Sequence, residues 1–498
     1  MRRILVAFLA TTALLLSGPP TYAHAAAAPG APGVGDAYYP NYGNGGYDVR
    51  HYDVRLRYFP ETDRLQGTTT ILARATTDLT RFNLDFLLEA RSVRVNGWAA
   101  TFAREGVQEL VVTPARELRA GQPMTIVVQY DGVPSSVSAY GITAWERTAD
   151  GAMAIGEPEI AAWWFPANDH PTDKATFDIS VAVPDGVEVI SNGVMPRPPL
   201  RELLGWTRWS WRSTQPMAPY LAFVAIGQYD IVTDTAPNGQ PVINAYSQRL
   251  PTELAGAARA SIERTPEVVE WASGVFGPYP FEAQGGVVGP PDGITFALEN
   301  QTRPVYSPGF FRRGSNVYVV VHEQAHQRFG DSVAVARWQD IWLNEGFASY
   351  AEWLWSADHG EGTAQELFDF TYALYPADDP FWTVQPGDPG PERLFDGAVY
   401  DRGAMTLHQL RLAVGDEAFF TIVRRWAAEH RHGNGTTAQF IALAEDVSGQ
   451  ELDALFTAWL FTAARPEPIA VPGAARSAAP RQPTSWPAIR QTRELLRH

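Results

Sequence analysis

The sequence predicts an α+β protein of two domains, an antiparallel, sandwich-like β domain followed by a mainly helical domain. The chain of 498 residues is longer than one domain ordinarily is. Short runs that alternate between polar and apolar residues fill its first half. Apolar residues at helical spacing fill its second half. Hydrophobic residues make up 45% and charged residues 19% of the chain, which is typical of folded rather than disordered proteins.

The β domain is predicted over residues 47–234. Alternating runs occupy residues 52–58, 68–75, 92–95, 110–113, 124–130, 177–183 and 187–191. The turn dipeptides Asn96-Gly97 and Asp131-Gly132 separate neighbouring runs. Several short strands at this spacing are typical of an antiparallel sandwich.

The helical domain is predicted over residues 235–465, because the period of the apolar residues changes after Thr252. Helices are expected at residues 253–276, 317–329, 339–359, 398–414, 417–430, 437–447 and 451–461, with a few strands near 285–306. The first of these helices should end at Gly277-Pro278, a pair that stops helices.

Both ends of the chain differ in composition from the two domains. Arg2 and Arg3 precede an apolar run from Ile4 to Leu16, which predicts a signal peptide over residues 1–25. Cleavage is expected near Ala25 and export by a Sec-type route, and the protein should be secreted without a stable membrane span. Residues 26–46, rich in Gly, Pro, Tyr and Asn, predict an extended arm, and residues 466–498 predict a flexible tail.

Composition narrows the classes of function. The formal net charge of −16 argues against nucleic acid as a partner, because phosphate binding requires a basic surface. An acidic protein is a better host for a cation, such as the free amine of a peptide. The chain has no cysteine, so histidines and carboxylates must hold any metal.

The clearest chemical motif is His322-Glu323-Gln324-Ala325-His326, which fits H-E-x-x-H. Residues four apart lie on one face of a helix, so both imidazoles can bind one metal ion. Glu323 follows the first ligand and can reach a water molecule without binding the metal itself. The apolar residues before His322 predict a buried helix, in which these polar groups need partners.

Glu345 is the predicted third ligand. Eighteen residues separate it from His326, and it lies in an otherwise apolar helix where an unpaired carboxylate would be costly. Two histidines and a glutamate leave one position open on a tetrahedral zinc ion, which is typical of catalytic rather than structural sites. We therefore expect one zinc ion per chain.

These residues resemble the gluzincin aminopeptidases, the aminopeptidase N family. The spacing to Asn344-Glu345-Gly346-Phe347-Ala348 carries the resemblance. Phe296-Ala297-Leu298-Glu299-Asn300 is similar to the family's G-A-M-E-N exopeptidase motif, and Tyr400-Asp401-Arg402-Gly403-Ala404 to its Y-E-K-G-A segment. The resemblance covers roughly residues 45–465. It implies a short, secreted member of bacterial type, without the large C-terminal helical domain of the longest relatives.

The resemblance implies a fold and a set of roles. Residues 235–465 would be a thermolysin-like catalytic domain, with a cleft between it and the β domain. Glu323 would be the general base, and Tyr400 would donate a hydrogen bond to the oxyanion. Glu299 would bind the α-amine of a peptide with a free N-terminus, and Ala297 and Asn300 would also contact substrate.

A further substrate-binding residue is implied in the β domain. The family places a polar residue upstream of a segment similar to Phe165-Pro166-Ala167-Asn168-Asp169-His170-Pro171. Counting back gives Glu157, and Glu159 is close enough to be an alternative.

Three residues depart from the family's pattern and concern the range of substrates. Phe296 and Leu298 replace a glycine and a methionine of the exopeptidase motif, and Arg328 replaces a tryptophan after H-E-x-x-H. Two alternatives to a zinc aminopeptidase therefore remain, a gluzincin endopeptidase and an inactive relative that only binds peptides. The sequence indicates neither the preferred N-terminal residue nor the oligomeric state.

Overall fold

The computed structural model describes residues 27–470 and 480–496. The predicted signal peptide, residues 1–25, lies outside the described residues. In the described part of the chain, no helix is both long and apolar enough to cross a membrane.

The first part of the chain is built from β-strands, as predicted. The strands are β1 (Ala28–Pro29), β2 (Tyr47–Phe59), β3 (Arg64–Ala75), β4 (Leu79–Asp85), β5 (Glu89–Val95), β6 (Trp98–Ala99), β7 (Thr101–Glu105), β8 (Glu109–Thr113), β9 (Pro123–Gly132), β10 (Trp145–Arg147), β11 (Ala152–Ala154), β12 (Ala175–Pro184), β13 (Glu188–Ser191), β14 (Leu200–Glu202), β15 (Trp206–Met217) and β16 (Val224–Gly227).

An eight-stranded sheet of order β14-β15-β12-β2-β3-β9-β5-β6 dominates this domain. Its strand pairs are antiparallel except β12 with β2. Along β2, Tyr52, Val54, Leu56 and Tyr58 are buried and alternate with more exposed residues. This period of two places one face of the sheet against the core. Two four-stranded sheets, β1-β4-β8-β7 and β10-β11-β16-β13, complete the domain.

The second part is mainly helical, also as predicted. Its strands are β17 (Tyr229–Thr235), β18 (Pro241–Ser247), β19 (Gln284–Val288), β20 (Ala297–Leu298), β21 (Val305–Tyr306), β22 (Val333–Val335) and β23 (Gly433–Gly435). Its helices are α1 (Thr252–Ile262), α2 (Thr265–Phe276), α3 (Val317–His326), α4 (Trp342–Asp358), α5 (Ala364–Leu374), α6 (Gly397–Val414), α7 (Asp416–Glu429), α8 (Thr437–Ser448), α9 (Asp453–Leu460) and α10 (Trp486–Leu496).

The boundary between the two parts lies slightly earlier than residue 234. Strand β17 pairs with β18 in a five-stranded sheet of order β17-β18-β19-β21-β20, which belongs with the helices. The helix predicted over residues 253–276 is divided into α1 and α2. Pro266 explains the break, because proline favours the first turn of a new helix and disrupts the interior of a continuous one.

Three central helices carry the predicted site, and glycines allow two of them to approach closely. Asn316 caps the start of helix α3, and its side chain accepts a hydrogen bond from the Tyr318 N–H. A Cβ atom placed on Gly346 of α4 would lie 3.0 Å from the Cα of Gly403 in α6. Glycine at both positions therefore lets α4 and α6 pack backbone to backbone.

Both ends of the described chain pack against the domains. In the arm, the Asp36 carboxylate accepts a hydrogen bond of 2.9 Å from the Trp338 N–H, and Tyr42 is buried. The prediction of a flexible tail is wrong for residues 486–496, which form α10. Trp486, Ile489 and Leu496 are buried on one face of this helix. Their apolar surface explains why the segment docks rather than remaining in water.

Candidate active site

Helix α3 brings the motif residues together on one buried face. His322 and His326 are one helical turn apart, and their ring centroids are separated by 4.9 Å. Both imidazoles and Glu323 are at most 2% exposed. One oxygen of the Glu323 carboxylate has no hydrogen-bond partner among the described residues. The helical spacing thus produces the arrangement that the sequence predicts.

Glu345 completes a group of three ligands. Its Oε2 lies 3.3 Å from His322 Nε2 and 3.5 Å from His326 Nε2. Ligands held about 2.0–2.1 Å from a shared zinc ion at tetrahedral angles would be about 3.3–3.5 Å apart. The two distances from Glu345 match that separation, and the ligand atoms of all three side chains lie within 4.8 Å of one another, so the group is suited to a zinc ion.

The second nitrogen of each histidine is also occupied. His322 Nδ1 lies 2.6 Å from Glu352 Oε1, and His326 Nδ1 lies 3.1 Å from the Phe329 carbonyl oxygen. When each Nδ1 carries the proton, it donates to its partner and leaves Nε2 free to bind metal. These partners orient both rings and support the metal assignment independently of the motif.

Tyr400 lies beside this group on α6. Its ring is stacked on that of His322, with centroids 6.0 Å apart, and is 2% exposed. The tyrosine hydroxyl lies 3.4 Å from the carbonyl oxygen of Leu496 in α10. The Gly346–Gly403 contact between α4 and α6 fixes Tyr400 relative to Glu345. The structure therefore brings together Tyr400 and the three metal-ligand candidates.

Two carboxylates flank the metal-ligand group on another side. Glu299 follows β20 and is 2% exposed, and its Oε1 accepts a 3.3 Å hydrogen bond from the Tyr220 hydroxyl. Glu157 is half-buried, and its Oε1 has no partner among the described residues. Both groups therefore have capacity to bind a cation.

Burial raises the pKa values of the two flanking acids, whereas neighbouring histidines lower the pKa of the ligand Glu345. Burial raises the pKa of Glu157 well above its usual value, and the charges of Glu299 and Glu345 add to the rise. Burial also raises the pKa of Glu299. At Glu345, burial opposes ionisation, but the attraction of His326 and His322 prevails and lowers its pKa. Ligand carboxylate and flanking carboxylates thus have opposite tendencies, which is common where groups have different roles.

Glu323 has an environment suited to a proton acceptor. Burial raises its pKa to about 8, while the two motif histidines act to lower it. A divalent cation nearby would lower the pKa further. A general base needs a pKa close to the working pH. Burial raises the pKa of Glu323 above that of an ordinary glutamate, and a nearby cation would bring it back toward neutral pH.

Of the other residues predicted to bind substrate, Ala297 and Asn300 have different surroundings. Ala297 lies in β20, the last strand of its sheet, and pairs with Tyr306 on one side only. The Asn300 side chain donates a 3.0 Å hydrogen bond to the Leu221 carbonyl oxygen. This contact joins Asn300 to the β domain and gives it a supporting role in the fold.

The hydrogen-bond partner of Glu159 belongs to the N-terminal arm and not to the metal-ligand group. Burial raises its pKa to about 7, and a hydrogen bond from Tyr42 of the arm opposes the rise. A cavity of about 630 Å³ lies between the domains, and its walls include Glu157, Glu159, Tyr39, Tyr375 and Phe381. Glu157 thus lines an open cavity between the two domains.

The three departures from the family pattern do not line this cavity. Phe296 packs against a small apolar cluster that includes buried Leu298. The Arg328 guanidinium is buried and donates hydrogen bonds to the Gly277 carbonyl oxygen and to the Ser273 hydroxyl. These substitutions therefore act through packing at the margins of the site.

Two important residues were not predicted from the sequence. Glu352 lies seven residues beyond Glu345 on α4, and this helical spacing is the one signal that could have identified it. Arg493 of α10 contacts Glu352 and Asp401, and no motif points to it. A second buried group, Glu299, Glu323 and His326, also clusters closely, but it shares His326 with the first group and does not form a separate site.

Two family profiles match the chain. The Peptidase M1 N-terminal domain matches residues 49–221, and the Peptidase family M1 domain matches residues 311–459. Glutamyl aminopeptidase of Sus scrofa is 26% identical over 448 residues, covering 82% of this chain and 46% of the relative. Aminopeptidase N of Streptomyces lividans is 29% identical over 320 residues, covering 60% of this chain and 36% of the relative. The chain thus spans less than half the length of these curated relatives.

Solved structures match over a larger share of both chains. The M1 zinc metallopeptidase of Deinococcus radiodurans has a TM-score of 0.77 and 28% identity, covering 88% of this chain and 100% of that one. A mutant of the Deinococcus protein bound to a Tyr-Ser-Ala substrate matches with the same TM-score of 0.77. The two-domain fold, the fit to zinc and the two profiles agree. The chain belongs to peptidase family M1, the family of gluzincin zinc peptidases similar to aminopeptidase N.

Proposed function

We propose that the protein is a zinc-dependent aminopeptidase that removes residues from the N-termini of peptides. The observation that carries the proposal is the position of Glu157 and Glu299 beside a complete His-His-Glu ligand group. A metallopeptidase needs the ligands, whereas an enzyme that recognises a free amine also has use for two carboxylates beside them, the half-buried Glu157, whose Oε1 has no partner among the described residues, and the buried Glu299.

His322, His326 and Glu345 would hold the zinc ion, which supplies Lewis acidity at neutral pH. Glu323 would accept a proton from the attacking water and pass it to the departing amine. The Tyr400 hydroxyl would turn from Leu496 and donate to the oxyanion that develops on the scissile carbonyl. Glu352 would keep His322 in the required tautomer.

Recognition of the substrate would depend on charge and on distance. Glu157 and Glu299 bind the protonated α-amine, and a charge pair away from bulk water gains more than one at the surface. If the two carboxylates anchor the amine in this way, the first peptide bond is the one presented to Glu323 and Tyr400. The unpaired edge of β20, at Ala297, would hydrogen-bond to the substrate backbone as an added strand does.

We also propose that the protein acts outside the cytoplasm, on peptides and not on nucleic acid. The signal-peptide pattern of residues 1–25 supports secretion, and the charge of −16 disfavours phosphate backbones. Detection of the protein in culture medium, starting within a few residues of Ala25, tests the location.

The activity is tested with pairs of peptides that differ only in N-terminal acetylation. We expect release of the N-terminal residue from the free peptides, dependence on about one zinc ion per chain, and very little reaction of the acetylated ones. Internal cleavage of acetylated peptides at the same rate would identify an endopeptidase instead. If the zinc-loaded protein binds peptides tightly but hydrolyses none of them, it is a binding module.

A further inference from the structure

The C-terminal helix α10 delivers an arginine to the active site. Arg493 is 4% exposed, and its guanidinium lies between two carboxylates. Its Nε is 3.0 Å from Asp401 Oδ1, and its Nη2 is 3.4 Å from Glu352 Oε1. Its Cζ also lies 4.8 Å from the centre of the Tyr400 ring. A single side chain thus contacts residues on α4 and α6.

Two of these contacts lead directly to the predicted chemistry. Glu352 Oε1, which Arg493 contacts, is also 2.6 Å from His322 Nδ1. Tyr400, whose ring faces the guanidinium, is the candidate donor to the oxyanion. Arg493 therefore lies behind one metal-ligand candidate and behind the tyrosine, without touching the reacting atoms.

We propose that Arg493 is a positioning residue for the reaction, an inference that rests on the function proposed above. It holds the Glu352 carboxylate against His322, and it fixes the ring of Tyr400. Glu352 Oε1 lies within hydrogen-bond distance of Nδ1, so it can accept the Nδ1 proton and leave Nε2 free for the metal. The cation over the ring restricts where the tyrosine hydroxyl can point.

The chemistry of the site requires a guanidinium and not simply a positive charge. Arginine presents several donors in one plane, so it can bind two carboxylates while its face lies over an aromatic ring. A lysine ammonium is a compact, strongly hydrated charge and cannot satisfy all three neighbours at once. Asp401 and Glu352 are 3% and 0% exposed, so neither can turn to water for compensation.

Helix α10 is held firmly enough to serve this purpose. Gln491 donates a 2.8 Å hydrogen bond to the Phe310 carbonyl oxygen, and Thr492 accepts one of 3.0 Å from Asn316. Asn316 is also the residue that caps α3, so α10 docks at the start of the helix carrying His322 and His326. The segment that supplies Arg493 is therefore tied to the helix whose ligand it helps to orient.

The test compares Arg493→Lys with Arg490→Ala, a change on the same helix. Arg490 is 65% exposed in its side chain and pairs only with Glu494 of its own helix among the described residues. We expect Arg493→Lys to lower kcat by about 10–100-fold with little change in KM, on the scale of residues that support metal ligands. Arg490→Ala should retain both constants.

A readout that does not depend on activity is the affinity for zinc, measured by competition with a chelator. Arg493→Lys should bind zinc about 10-fold or more weakly, because His322 loses its fixed orientation. A merely structural role predicts a lower melting temperature with wild-type kcat and zinc affinity in the folded fraction, and this result would overturn the proposal.

Removal of residues 480–498 provides a second, independent test. Loss of kcat and weaker zinc binding in the truncated protein would support the proposal. Higher activity after truncation would overturn it, because α10 would then be obstructing Tyr400 through Leu496. Failure of the proposed function itself looks different, since the wild-type protein would then release no N-terminal residues at all.

Discussion

The two halves of the candidate active site are completed to different degrees. In the metal half, formed by His322, His326 and Glu345, each histidine already has a partner on its second nitrogen. In the amine half, formed by Glu157 and Glu299, carboxylate oxygens are buried with few partners and their pKa values are raised. The metal half has its ligands oriented, whereas the amine half has no counter-charge among the described residues, and under the proposed function the substrate amine would supply it.

The difference indicates where binding energy is available for discrimination. Buried acids that repel each other gain most when a cation enters between them, because that cation removes both repulsion and unsatisfied hydrogen bonding. A preorganised ligand set changes little between substrates. We therefore expect changes in the metal half to abolish turnover and changes in the amine half to alter selectivity.

The largest effect is expected from His326→Ala. Loss of one of three ligands should remove zinc and lower activity by roughly 10³-fold or more, because metal catalysis supplies several kcal/mol. Metal analysis of the purified variant, beside wild type at about one zinc per chain, makes the measurement. Full zinc occupancy in this variant would contradict the ligand assignment.

Glu323→Gln should retain zinc and lose nearly all turnover. The amide preserves the shape of the side chain but cannot accept the proton of the attacking water, which costs about 10²–10⁴-fold. Zinc content and kcat are measured on the same preparation. Appreciable turnover would mean that another group is the base, and loss of zinc would place Glu323 in the metal half.

Tyr400→Phe should also retain zinc, with a smaller fall in kcat of roughly 10²-fold, the scale for one oxyanion donor. The phenylalanine ring can still pack against His322 and beneath Arg493, so folding should be preserved. Steady-state kinetics and a melting curve separate the two effects. Turnover equal to that of wild type would remove Tyr400 from the mechanism.

In the amine half, Glu299→Ala should act mainly on free-amine substrates, lowering kcat/KM by about 10–100-fold, as expected for a charge-assisted contact worth 1.5–3 kcal/mol. The acetylated substrates, already poor, should change little, so the gap between the two classes narrows. Glu157→Gln should act in the same direction. An equal loss on both classes would indicate that these acids support the fold rather than the amine.

The smallest effect is expected from Glu159→Gln, which tests the edge of the amine half. Selectivity should be unchanged, because Glu159 hydrogen-bonds to Tyr42 of the arm. Its pKa in the folded protein, about 7, is above that of an unfolded glutamate, so the folded state holds this proton more tightly. The contribution of this group to stability is full below about pH 4.3 and is lost as pH rises to about 7.

Glutamine at this position removes the penalty. The variant should therefore gain stability over wild type at pH 8, by about 1–3 kcal/mol, and little at pH 4. Melting curves at the two pH values make the measurement, with Glu157→Gln as the comparison. A change in selectivity would move Glu159 into the amine half.

The metal half could be predicted from residues alone, since His322, Glu323 and His326 depend on the fixed geometry of one helix. Glu345 lies on a second helix, which has to pack against the first to bring the three ligands together. It could still be predicted, because an unpaired carboxylate in an apolar helix would be energetically costly. Glu299 and Glu157 came only from the resemblance, because the two lie in different domains. Their proximity depends on how those domains pack, which local periodicity does not encode.

The C-terminal segment shows the same limit of sequence-based prediction. By itself, the sequence determined the order of a β domain and a helical domain, the motif helix and the ligand types, because these follow from periodicity, spacing and side-chain chemistry. It did not reveal that residues 486–496 form a helix or that Arg493 lies between Glu352 and Asp401. Only the tertiary structure decided those contacts, because they join residues more than ninety positions apart. Their stability comes from burial of one helix face against a surface formed by other segments.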